Sequence, residues 1–146
     1  MLMLNKIYNG DCFELIKQIP DEFIDCIVTS PPYWNLRDYG VEGQFGLEKN
    51  FSDYINKLLF LFDEVKRILK PTGTCWVNLG DTYGGSGNSS GHTPETDNLK
   101  RSTFNYGATK GNMALTKDYV KSLIGIPDRF KIGMIDRGWK CSVIGV

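Results

Sequence analysis

The sequence lacks several features that would assign it to a class of protein at once. It has no run of eighteen or more apolar residues, the length that a membrane-spanning helix needs. Its start lacks the apolar segment and cleavage site of a secretory signal. One histidine and four cysteines without a CxxC pair supply no recognisable zinc motif. These absences predict a cytoplasmic protein that has reduced thiols in its core and binds neither a membrane nor a metal.

An excess of positive charge is also missing. Seventeen basic residues are balanced by seventeen acidic ones, whereas proteins that bind DNA on their own cluster Lys and Arg against the phosphates. The charge balance therefore argues weakly against an autonomous DNA-binding protein. The length of 146 residues allows one globular domain with a core.

Apolar periodicity predicts alternating strands and helices, which is typical of a parallel α/β sheet. We expect strands at residues 4–8, 24–29 and 74–79, helices at 11–18, 51–69 and 127–136, and the beginning of another strand at 139–146. Residues 84–113 are rich in Gly, Ser, Thr and Asn and have little apolar pattern, which predicts a long mobile loop. The two strands in the middle of the chain read as buried on both faces.

The most informative segment follows the strand at 24–29 and reads Ser30-Pro31-Pro32-Tyr33. Ligands of open α/β sheets bind at the carboxyl ends of the strands. Two prolines keep the backbone extended and donate no hydrogen bond, so the carbonyls of Ser30 and Pro31 are available as acceptors. Tyr33 adds an aromatic face beside them. Such a group can hold an amino group and stack a flipped base.

This tetrapeptide resembles motif IV of the amino-methylating DNA methyltransferases. The flanking sequences are similar to that family in its beta-type arrangement, and the resemblance covers most of the chain: 8–12, 19–21, 67–74, 76–83, 126–127 and 138–139. It implies the catalytic half of a doubly wound, Rossmann-like methyltransferase fold that uses S-adenosylmethionine. The methyl acceptor is then an exocyclic amino group of double-stranded DNA with a flipped base. Ser at the first motif position favours cytosine N4 over adenine N6.

The resemblance also assigns roles to single residues. It implies that Ser30, Pro31, Pro32 and Tyr33 are catalytic and that Asp11 and Pro31 contact the cofactor, although Asp11 also suits a helix cap. We expect DNA contacts from Trp34, which can belong to the stacking wall, and from Arg37, which can instead be solvated beside Asp38. Lys100 and Arg101 lie in the predicted loop, where they bind phosphates or only keep it soluble.

Two parts of the family pattern are not found in residues 1–146: the target-recognition region and the C-terminal glycine motif for the cofactor. The resemblance therefore predicts a catalytic portion that works with a complementing C-terminal fragment or as a homo-oligomer. The expected setting is restriction-modification or protection of phage DNA. The alternative is a truncated, inactive remnant.

Overall fold

The computed structural model describes residues 4–84, 119 and 121–142. The described elements are three helices and two strands: α1 (Cys12–Ile16), β1 (Ile24–Thr29), α2 (Phe51–Ile68), β2 (Leu69–Val77) and α3 (Ile126–Asp136). The chain divides into two compact units. One unit comprises Met1–Pro31, Ile55–Asn78 and Asp128–Val146, and the other comprises Pro32–Tyr54 and Leu79–Pro127.

The first unit contains a parallel pair of strands, β1 and β2. Ile27 pairs with Cys75 and Thr29 with Val77, and the Asn78 amide donates to the Thr29 carbonyl (2.9 Å), which extends the pairing past the ends of both strands. The predicted order of strand, helix and parallel strand is therefore confirmed, and β1 has the predicted bounds. Both strands end at the same edge of the sheet.

The Pro71-Thr72-Gly73 segment differs from the expectation of a loop between helix and strand. It lies inside β2, which begins directly after α2. The register shifts here, because Ile24 pairs with Leu69 while Cys26 pairs with Thr74. Proline has no N–H to give to a ladder, so the intervening residues of β2 bulge outwards.

Helix α2 supplies half of the buried hydrophobic side chains in the described part of the chain. Asn50 caps its N-terminus, since the Asn50 Oδ1 accepts from the Asp53 amide (2.8 Å). Apolar residues recur at three- and four-residue spacing and form a buried stripe: Ile55, Leu58, Leu59, Phe62, Val65 and Ile68. In the first unit Phe62 packs edge-on against Phe130 of α3, with ring centroids 5.0 Å apart. This stripe is the core of the first unit.

Three expectations are corrected by the structure. Residues 4–8 do not form a strand: Ile7 is fully exposed, and local β-propensity cannot hold a strand that has no partner among the described residues. The sheet is not buried on both faces either. Val28 and Trp76 pair on one face and are 78% and 52% exposed. Cys12, Cys26 and Cys141 are exposed rather than in the core, and only Cys75 is half-buried.

The two remaining segments are described in part. Helix α3 matches the prediction for 127–136 to within one residue. Residues 139–142 carry no strand, and 143–146 lie outside the described residues, as does nearly all of the predicted loop at 84–113. No helix in the described part of the chain is long and apolar enough to cross a membrane.

Candidate functional site

The candidate site begins where β1 ends. In the first unit, Ser30 is exposed and Pro31 is buried directly after the last paired residue, Thr29. Because the Thr29 carbonyl is bonded to the Asn78 amide, the chain leaves the sheet in a fixed direction. This places the Ser30-Pro31 backbone at the carboxyl edge of the sheet, where α/β proteins bind their ligands.

The second unit contains the other half of the motif, Pro32 and Tyr33. The Tyr54 hydroxyl donates a hydrogen bond of 2.7 Å to the Pro32 carbonyl. Tyr54 is completely buried, and this burial, together with the charge of Glu48, raises the pKa of the phenol well above its ordinary value. Tyr54 is therefore a neutral donor at every physiological pH and holds one carbonyl of the motif in place.

The Tyr33 side chain is half-buried and packs on a glycine. A Cβ atom added at Gly80 would lie 2.5 Å from Cε2 and 2.6 Å from Cδ2 of the ring. A Cβ atom added at Gly46 would lie 2.6 Å from the Tyr33 carbonyl oxygen, and Gly46 has a φ of +95°. Both glycines therefore allow contacts with Tyr33 that other residues would prevent.

Trp34 is placed differently from the expectation that it belongs to an exposed stacking wall. It is only 2% exposed, its Nε1 donates to the Glu48 carbonyl (3.0 Å), and its ring meets Phe51 edge-on with centroids 6.1 Å apart. An indole that is buried and hydrogen-bonded in this way fixes the loop behind Tyr33. The large apolar area of the Trp34 side chain explains its burial. The sequence motif did not indicate that Trp34 would be buried.

The expected DNA contacts fall in two places. Arg37 is half-buried, and its carbonyl accepts a bond of 3.0 Å from the Gln44 side chain. Asp38 is exposed, and its carboxylate accepts from the Gly40 amide (2.7 Å), so it shapes the turn. Lys100 and Arg101 lie outside the described residues. Arg37 thus lies four residues after Tyr33, on a loop that these hydrogen bonds shape.

Asp11 caps α1. Its Oδ1 accepts from the Phe13 amide (2.8 Å) and the Glu14 amide (3.2 Å), which is the common use of Asp before a helix. The side chain is exposed. Both of these bonds use one oxygen of the carboxylate, Oδ1.

Asp81 is a further residue that the sequence did not single out. Its carboxylate accepts from the Gly125 amide (3.0 Å) and the Ile126 amide (3.0 Å) at the start of α3. Tyr54 and Gly80 were missed as well. Tyr54 had a usable signal, because it lies one turn before Leu58 on the apolar face of α2 and a buried tyrosine needs a partner for its hydroxyl. No comparable signal distinguishes Gly80 or Asp81.

Cys75 is the half-buried cysteine of the described part of the chain. Burial and the neighbouring Cys26 raise the pKa of the Cys75 thiol to about 11, which leaves it protonated and a poor nucleophile. No group of three His, Cys, Asp or Glu residues in the described part of the chain could hold a metal ion.

Comparison with known proteins points to the same class of protein as the geometry of the candidate site. The family model for DNA methylases of the N6/N4 type matches residues 24–130. The Type II methyltransferase M.Cfr9I of Citrobacter freundii is 39% identical over 138 residues, which are 91% of this chain and 42% of the relative. M.SmaI of Serratia marcescens is 41% identical over 134 residues, which are 92% of this chain and 44% of the relative. M.SfiI of Streptomyces fimbriatus is 35% identical, over 91% of this chain and 27% of the relative.

The chain thus spans less than half the length of these curated relatives. Enzymes of the matched family use S-adenosylmethionine as the methyl donor. The family match covers well over half of the chain and includes both strands, the motif Ser30-Pro31-Pro32-Tyr33 and the beginning of α3. This chain belongs to the N6/N4 family of DNA methylases and is an amino-methyltransferase by family.

Proposed function

We propose that this chain is the catalytic part of an enzyme that methylates an exocyclic amino group of a flipped DNA base, with cytosine N4 favoured over adenine N6. The observation that carries the proposal is the position of Ser30-Pro31-Pro32-Tyr33 directly after a parallel strand of an N6/N4 family member. The parallel β1 and β2, joined by α2, suit a doubly wound, Rossmann-like fold.

In this proposal the motif works mainly by positioning. The carbonyls of Ser30 and Pro31 accept hydrogen bonds from the amino group and direct its lone pair towards the methyl group. Tyr33 stacks on the flipped base and offsets part of the stacking energy that the base loses on leaving the duplex. S-adenosylmethionine supplies the methyl group. No cysteine is needed as a nucleophile, which agrees with the raised pKa of Cys75.

We assign Asp11 and Pro31 to the cofactor. The Asp11 carboxylate is exposed at the start of α1 and has a second oxygen beyond the one that caps the helix. A carboxylate accepts several hydrogen bonds, so it can cap α1 and hold a donor group of the cofactor together. Pro31 is buried and lies at the carboxyl edge of the sheet, directly after β1 and Ser30.

Double-stranded DNA is the proposed partner. Arg37, Lys100 and Arg101 are the proposed contacts to DNA, and the burial of Trp34 suits support of Tyr33 better than direct stacking. The names of the relatives as Type II methyltransferases support a role in restriction-modification. A cytoplasmic location follows from this role, because bacterial DNA lies there.

A second candidate is a fragment or remnant that is inactive without a complementing chain. Two observations favour it: the relatives are more than twice as long, and the sheet exposes Val28 and Trp76 on one face. Transfer of a methyl group requires the donor, the amino nitrogen and the acceptors to be held together. A C-terminal fragment, or a second copy of the chain, would then complete the site.

The test is incubation of the purified chain with tritiated S-adenosylmethionine and DNA of mixed sequence, with and without the remaining part of a relative such as M.SmaI. We expect incorporation only with the complement, and digestion to nucleosides should identify N4-methylcytosine. Recovery of N6-methyladenine would reverse the base assignment. Incorporation by the chain alone would rule out the fragment hypothesis, and a lack of incorporation in either mixture would count against the enzyme.

A further inference from the structure

The surroundings of Tyr33 contain a group of residues that the motif alone does not reveal. Gly46, Tyr54 and Gly80, which we call the Tyr33 support, all belong to the same compact unit as Pro32 and Tyr33. We propose that they are positioning residues, which fix the orientation of the Tyr33 ring before a base arrives. The inference rests on the proposed function, in which that ring stacks on the flipped base.

Gly80 leaves the space that one edge of the ring occupies. A Cβ atom at this position would lie within 2.5–3.2 Å of three ring atoms of Tyr33, namely Cδ2, Cε2 and Cζ. Real Cβ atoms do not approach so closely, so any side chain at Gly80 must displace the ring. Gly80 is not among the glycines with a positive φ. Its backbone conformation therefore does not require glycine, whereas its contact with the ring does.

Gly46 contacts the backbone of Tyr33. It has a φ of +95°, and the space of its absent side chain is taken by the Tyr33 carbonyl oxygen. The Gly46 carbonyl in turn accepts a hydrogen bond of 2.8 Å from the Asn35 amide. The segment around Gly46 is thus bonded to the chain two residues beyond Tyr33 and packs on its carbonyl.

Tyr54 fixes the residue before Tyr33. Its hydroxyl donates to the Pro32 carbonyl at 2.7 Å from a fully buried position. Pro32 has a fixed φ and no N–H, so this bond and the proline ring together define the peptide plane that leads into Tyr33. The backbone of Tyr33 is therefore held at the Pro32 carbonyl and at its own carbonyl. The edge of the Tyr33 ring is held at Gly80. Such a side chain is preorganised for stacking.

Glycine-to-alanine variants of the chain itself test this directly. The chain is labelled with 3-fluorotyrosine and its seven tyrosines are observed by ¹⁹F NMR, with the Tyr33 signal assigned from its loss in Tyr33→Phe. Gly80→Ala is expected to shift that signal by more than its linewidth. The matched control is Gly133→Ala in α3, where a Cβ atom meets Leu59 at 2.6 Å. It has a similar steric conflict but no contact with Tyr33, so the Tyr33 signal should stay in place.

Tyr54→Phe is the second variant, because it removes one hydroxyl and keeps the buried ring. We expect Tyr54→Phe to shift or broaden the Tyr33 signal. Its midpoint temperature of thermal unfolding should stay close to that of Gly133→Ala. A Tyr33 signal that is unchanged in both Gly80→Ala and Tyr54→Phe would overturn the inference. So would a signal that moves equally in Gly133→Ala, since the effect would then be general destabilisation.

Activity provides an independent arm in the complemented enzyme. Misplacement of a reacting group by about 1 Å can cost roughly 100-fold in rate, so we expect kcat to fall about 10- to 100-fold in Gly80→Ala with an unchanged Kd for S-adenosylmethionine. If the unsubstituted complemented enzyme methylates no DNA, the proposed function fails and the NMR result alone decides whether the support orders Tyr33. If that enzyme is active and Gly80→Ala retains its kcat, the positioning role is wrong although the function stands.

Discussion

Replacing Asp81 with alanine is expected to lower the free energy of unfolding by about 1–2 kcal/mol, the usual loss when a helix-capping side chain is removed. The Asp81 carboxylate accepts from Gly125 and Ile126 at the start of α3 and from the neighbouring Thr82 amide at 2.8 Å. Each net hydrogen bond contributes about 1 kcal/mol. Because Asp81 is exposed, water can replace part of the hydrogen bonding that Asp81→Ala removes. The loss in free energy of unfolding therefore stays below the sum of three hydrogen bonds.

The assay is urea unfolding followed by circular dichroism, with Asp81→Asn and Asp128→Ala as matched controls. Asp81→Asn keeps one acceptor oxygen, and Oδ1 alone accepts from the Thr82, Gly125 and Ile126 amides, so this variant should lose much less stability than Asp81→Ala. Asp128 is also acidic and lies in the first turn of α3, but its exposed carboxylate pairs only with Lys131 at 2.7 Å, so its removal should cost less than about 0.5 kcal/mol. Equal losses for Asp81→Ala and Asp128→Ala would show that the capping bonds do not hold α3.

Three further predictions concern the site and its thiols. Tyr33→Ala should lower methylation by the complemented enzyme about 5- to 150-fold, because stacking supplies about 1–3 kcal/mol per base, and unchanged turnover would remove Tyr33 from the mechanism. The raised pKa of Cys75 keeps its thiolate scarce below about pH 11. Mass spectrometry should therefore show that iodoacetamide labels Cys75 far more slowly at pH 8 than exposed Cys141. The labelling rate of Cys75 should rise as the pH approaches 11, and equal rates for the two thiols at pH 8 would contradict this prediction. Asp11→Asn should leave α1 capped but weaken cofactor affinity in calorimetry, and an unchanged Kd would limit Asp11 to its capping role.

Local pattern was sufficient for the elements whose signal lies within a few turns of chain. The apolar run at Ile24–Thr29 and the stripe of α2 both appear with nearly the predicted bounds, because burial of a strand or a helix face is written in its own periodicity. The strand predicted at 4–8 fails for the complementary reason. A strand needs a partner, and apolar residues alone do not supply one.

The apolar face of α2 marks Tyr54 as buried, but the contacts of the Tyr33 support could not be read from the sequence because they are long-range. Tyr54 and Pro32 are 22 residues apart, and Asp81 lies 44 residues before Gly125. Gly46 and Gly80 act through the absence of a side chain, which no hydrophobic pattern records. The motif predicts a role for Tyr33, whereas the geometry identifies the residues that contact it.

The pairing of β1 with β2 also has a consequence for folding during synthesis. Cys26 and Thr74 face each other across the sheet but are 48 residues apart in the chain. At about 5–20 residues per second, the ribosome needs roughly 2–10 s to add the residues that separate them. Throughout that interval β1 lacks β2, its neighbour in the described part of the sheet, and the backbone N–H and C=O groups that β2 would bond are available to other chains. Slow codons between the two strands should therefore increase aggregation of the nascent chain, whereas slow codons after Val77 should not.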